Sequence, residues 1–132
     1  MLLPCEVGVK TILPAVKAII ARTIVEKHGL KEKETAELLG LSQSAISRYR
    51  NRGRGNNLNE IENSVEVKIL IDQMVTYLVN EPEKKQQILI LFCRTCKTIR
   101  QQGLMCNLCR KEMARQWAEG CVFCQVDELN IY

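Results

Sequence analysis

The most constraining stretch of the chain is Thr35-Ala-Glu-Leu-Leu-Gly-Leu-Ser-Gln-Ser-Ala-Ile-Ser-Arg-Tyr49, because most of its positions have a backbone or packing reason. Gly40 stands where a first short helix must stop, and glycine alone enters the left-handed region without steric cost. Ser42 follows as an N-cap, its hydroxyl able to accept a backbone N–H two or three residues on. Ala36 is small where the two helices cross, and Leu39, Leu41 and Ile46 supply the apolar contacts that set the crossing. The pattern predicts helices over about 31–39 and 43–51, joined by a tight turn.

This is helix-turn-helix grammar, in which the early residues of the second helix face base edges in the major groove. Here those are Ser42, Gln43, Ser44, Ser47 and Arg48. Glutamine pairs bidentately with adenine, arginine with guanine, and serine serves either. Arg48, Arg50, Arg52 and Arg54 lie within seven residues and suit phosphate contacts, the salt-dependent part of affinity. His28, the only histidine, is next to a helix end and favours the dipole there rather than a ligand role.

The run from Pro4-Cys5-Glu6 through Leu13-Pro14-Ala15-Val16 to Ser44-Ala-Ile-Ser-Arg-Tyr49 resembles the N-terminal domain of archaeal helix-turn-helix transcriptional regulators of the XRE-like type. The resemblance covers roughly residues 1–55, under half the chain. It implies a four- or five-helix DNA-binding fold, dimeric binding to a palindromic operator in double-stranded DNA, and gene regulation. It does not identify a signal.

Three domains are expected on composition. Residues 1–57 carry 10 Lys and Arg against 5 acids, residues 58–92 carry 3 against 6, and residues 93–132 carry 6 against 4. A basic DNA-binding head, an acidic helical linker or dimerisation segment and a basic cysteine-rich module follow from that distribution. The fold class expected is mainly α, with Pro14 opening the first helix and Gly29 closing it. The Asn51–Asn57 loop is the boundary, and one longer helix spans about 58–80. Its Val65, Ile69, Leu70, Met74 and Leu78 form either a dimer interface or a cap on the N-terminal core. Another helix spans about 83–92, after Glu81-Pro82, and Arg110 to Glu119 is read as one short helix.

The tail carries three pairs, Cys93-Arg-Thr-Cys96, Cys106-Asn-Leu-Cys109 and Cys121-Val-Phe-Cys124. A Cys-x-x-Cys turn brings two sulfurs within reach of one metal, and two such turns complete a tetrahedral site. The six cysteines are therefore metal-ligand candidates. An iron–sulfur cluster that couples iron or redox state to DNA binding is the first reading, a purely structural zinc held by the first two pairs, in a DNA-binding regulator or adaptor, is the alternative, and a bare thiol–disulfide switch is a third. Arg94, Lys97, Arg100, Arg110 and Lys111 surround the pairs and are expected to stabilise thiolates. Trp117, Phe92, Phe123 and Met105 are expected to cover the site or pack on the helical body, whereas Cys5, distant in sequence, is left out of it.

No run of about 18 apolar residues predicts a membrane span, and Met1-Leu-Leu-Pro-Cys-Glu lacks the basic flank and apolar core of a secretory signal, so a cytoplasmic protein is expected. Cysteines there favour metal or redox chemistry over a disulfide framework. With no glycine-rich phosphate loop and no paired histidine and acid positions, the chain is not expected to be an enzyme. An oxidoreductase reading lacks the alternating strands and helices of thioredoxin-like proteins.

Overall fold

A computed structural model describes residues 2–51 and 56–125, and all regular structure among them is helical. In chain order the elements are α1 (Pro4–His28), α2 (Glu32–Leu39), α3 (Gln43–Asn51), α4 (Asn56–Asn63), α5 (Val65–Asn80), α6 (Lys85–Gln101), α7 (Cys106–Glu112) and α8 (Arg115–Ala118), followed by a 3₁₀ turn over Phe123–Gln125. No helix among the described residues is long and apolar enough to cross a membrane.

The first helix begins ten residues before the proline expected to open it, and Pro14 lies inside it on an exposed face. Pro4 is the true opening proline, and the Leu3 N–H donates to Glu6 Oε2 at 2.6 Å, satisfying an otherwise orphaned donor. An interior proline forfeits one helical hydrogen bond. The helix persists because Val7 and Ile12 before Pro14, and Val16, Ile20 and Ile24 after it, are almost wholly buried on a common core. Gly29, at φ 69°, ends the helix as expected.

The single helix expected over 58–80 is two. Ser64 interrupts it, its hydroxyl accepting the Val67 N–H at 3.4 Å to start α5 afresh. The apolar run at 67–71 is helical, and Met74 and Leu78 are buried while Val65 and Ile69 are exposed, so the surface expected to face a partner is divided. The helix expected to end near residue 92 continues to Gln101, because Leu91, Thr95 and Ile99 recur every fourth residue and are all buried against α5. At the other end, Met113 and Ala114 divide the stretch 110–119 between α7 and α8.

One core takes residues from α1 and from the helices that follow α3: Val16, Ile20 and Ile24 of α1, Ile61 of α4, Ile71 and Met74 of α5, Ile99 of α6 and Leu108 of α7. Arg22 of α1 forms an ion pair with Glu62 of α4 alongside it. A second, smaller cluster joins Ala21 of α1 to Ala36 of α2 and Ile46 of α3. Helix α1 is thus common to both clusters, which positions the two sites described next.

Candidate nucleic-acid interface and cysteine cavities

The turn between α2 and α3 follows its local chemistry. Gly40 adopts φ 65° and the Leu41 N–H returns to the Ala36 carbonyl at 2.9 Å, closing α2. The Ala45 N–H donates to Ser42 Oγ at 3.1 Å, opening α3. Ala36 and Ile46 are buried together against Ala21, with Leu39, Leu41 and Tyr49 packed around them. The small residue expected at the crossing of two helices therefore serves a three-helix junction.

Ala45, Ile46 and Tyr49 take the inward arc of α3, which leaves Gln43, Ser44, Arg48 and Asn51 exposed on the other side. Asn51 was not among the residues expected to read DNA, although its spacing from Ser44 and Arg48 puts it on their face. Two expected contacts are partly committed elsewhere. Ser47 Oγ donates to Glu32 Oε2 at 2.6 Å and Arg50 Nη1 donates to Glu32 Oε1 at 2.7 Å. The Ser47 hydrogen bond, then Arg50, holds the Glu32 carboxyl below its ordinary value of 4.5. Ser42 likewise spends its acceptor on the cap, while Arg52 and Arg54 lie outside the described residues.

The cysteines sort differently from their order in the chain. Cys93 and Cys96 sit within α6, and Cys106 and Cys109 within α7, so both pairs are carried on helix faces rather than in the expected turns. Only the third pair is in irregular backbone, with Cys124 on the 3₁₀ turn. Cys93 and Cys96 line a cavity of about 590 Å³ together with Cys124, Lys97, Arg100 and Cys5 from the first turn of α1. A small adjoining cavity, about 30 Å³, is lined by Cys106, Cys109, Cys121 and again Cys124 and Arg100. The first two pairs thus line different cavities, whereas the zinc alternative would join them in one site.

Cys124 belongs to both cavities, and Arg100 Nε donates to its Sγ at 3.3 Å. All seven cysteines are free. Among the described residues no three His, Cys, Asp or Glu side chains are gathered closely enough to hold a metal ion. The donor chemistry is nonetheless uniform: only sulfur ligands line the two cavities, with no carboxylate or imidazole among the described residues lining them. Soft thiolate donors of this kind suit zinc or an iron–sulfur cluster.

Of the cations expected to stabilise the thiolates, Lys97 and Arg100 line the larger cavity and Arg110 the smaller, whereas Arg94 and Lys111 are exposed and line neither. Burial pushes the Cys96 thiol up, and Arg100 opposes without reversing it. Burial, with the neighbouring Cys124, Cys106 and Cys121, pushes Cys109 up to about 11. Phe123 lines both cavities and Met105 is buried beside the smaller one, whereas Trp117 is 50% exposed and covers neither. Cys5 is the cavity-lining cysteine that sequence reasoning left out, since its neighbours in space come from the opposite end of the chain. Comparison with protein-family models, with curated proteins and with solved structures finds no match for this chain.

Proposed function

We propose that the protein is a sequence-specific transcriptional regulator, in which α3 enters the major groove of double-stranded DNA and the cysteine-rich end carries a metal–thiolate centre that makes binding conditional. The observation that supports this most directly is the outer face of α3. Four exposed polar side chains, Gln43, Ser44, Arg48 and Asn51, stand on a helix whose start is fixed by Ser42 and whose inner face is held by α1 and α2. Rigid mounting of a few base-reading groups is what specific recognition requires. The protein acts as a homodimer on a palindromic operator, the two α3 helices occupying successive turns of the groove. On this reading it is not an enzyme.

An iron–sulfur cluster is the centre we favour, with structural zinc as the alternative. Ile99, Met105, Leu108, Met113 and Ala118 already belong to the main core, which favours a sensing centre over one needed simply to fold the tail. Such an arrangement lets a cluster respond to iron or redox state while the surrounding helices stay packed.

Selection of binding sites from random duplexes, followed by fluorescence anisotropy, tests the reading. Wild-type protein will enrich one sequence and lose affinity linearly with the logarithm of salt concentration. Arg48→Ala will weaken binding to the selected site by about 1–3 kcal/mol and relax its sequence at one position. Failure to enrich any sequence sinks the DNA-reading assignment. Iron, sulfide and zinc content of the same anaerobic preparation separates the two metal readings, and a colourless protein with stoichiometric zinc rules out the cluster.

A further inference from the structure

We propose that Cys5 is a metal ligand, completing with Cys93, Cys96 and Cys124 a four-thiolate site that ties the first turn of α1 to α6. This rests on the reading that the cysteines bind metal. Closed sulfur sites take four thiolates. The pair on α6 supplies two, at positions three apart and hence on one helix face. Among the described residues lining their cavity, the remaining sulfurs are Cys5 and Cys124. Cys106, Cys109 and Cys121 line the other cavity, so a closed site built on the first pair needs Cys5.

The electrostatics of the larger cavity agree with that assignment. Four thiolates around a divalent ion leave two net negative charges, and Lys97 and Arg100 line the same cavity with no acidic side chain among its described lining residues. Each thiol releases its proton to solvent as it ligates. No three of these thiols are gathered closely enough to hold an ion as they stand, so ligation draws them together by rotamer changes, which the exposed Cys5 and Cys93 can make without disturbing the buried Val7.

The consequence lies at the far end of the helix. α1 is a single helix of 25 residues, about 37 Å long at 1.5 Å per residue. Its Ala21 and Val25 pack into the cluster that carries Ile46 of α3. A ligand at Cys5 therefore acts on the same helix that mounts α3, a shorter route than one through α4 and α5.

The test uses full-length protein, wild type and Cys5→Ser, titrated anaerobically with Co²⁺ alone as a reporter of sulfur coordination. Wild type will show thiolate-to-cobalt charge-transfer absorption. Cys5→Ser will bind at least one equivalent about tenfold or more weakly, with lower charge-transfer intensity. Cys5→His, which restores a ligand, will recover most of the affinity. Matching circular dichroism of the metal-free proteins controls for folding, and amide exchange at residues 5–10 will slow on cobalt addition in wild type but not in Cys5→Ser. If wild type binds cobalt and Cys5→Ser gives a superimposable titration, Cys5 is not a ligand and the metal reading stands. If wild type shows no cobalt–thiolate absorption, the metal reading itself fails.

Discussion

Two glycines illustrate how far a single residue's role can be read from its neighbours in sequence. Gly40 was legible, because a polar cap two residues later and an apolar helix before it leave only a left-handed turn. Nothing lies within 4 Å of a Cβ built there, so its requirement is purely conformational. Gly40→Ala will therefore destabilise by about 1–2 kcal/mol, the penalty for an L side chain at positive φ. Gly8 was not legible, since it precedes the proline expected to start the helix. It is buried inside α1, where a Cβ would meet Met105 Sδ at 3.5 Å, an ordinary contact. Helix propensity then decides, and Gly8→Ala will stabilise by about 0.5–1 kcal/mol. Urea unfolding of the two variants checks both signs. Cys5 escaped for a different reason: no local rule connects it to α6, and only the folded chain brings it to the cavity of Cys93 and Cys96.

Among the elements, α2 and α3 were predicted nearly to the residue because their limits depend on local capping chemistry. The extent of α6 was missed, although Leu91, Thr95 and Ile99 carry its buried stripe, because Cys-x-x-Cys was read as a turn. What periodicity does not convey is how α2 and α3 are fastened by Glu32, which accepts from Ser47 and Arg50 together. Since those donors lower the folded-state pKa of Glu32, its contribution is present above the ordinary carboxylate value of 4.5 and is lost as pH falls through that value toward the lower folded one. Glu32→Gln will accordingly be less stable than wild type at neutral pH, and the two thermal midpoints will converge as the solution is acidified below that range. A constant difference down to about pH 3 would assign the effect to packing instead. The same substitution frees Arg50, so non-specific DNA affinity will rise with a steeper salt dependence.

For the whole molecule, three stretches of different charge suggested a chain assembled in sequence, yet the main core joins α1 to the helices from α4 onward. Ile99, Met105 and Leu108 from the cysteine-rich end are buried with Val7, Val16 and Ile20 of α1. Composition conveys charge, which is a surface property, and so is silent on which segments share an interior. Ile99 is completely buried, and Ile99→Ala will cost about 2–5 kcal/mol through lost contacts and a residual cavity. If the core is cooperative, that loss will not stay in the tail. Trp117, the only tryptophan, reports on α8 by fluorescence. Far-UV circular dichroism is dominated by the longer helices α1, α5 and α6. In urea the two signals will trace one transition in wild type and shift to lower concentration together in Ile99→Ala. Fluorescence moving alone would mean that the cysteine-rich end unfolds as a separate unit. The distinction matters for regulation: only a shared core lets events in the cysteine cavities reach α3 by way of α1 without first melting the helices between them.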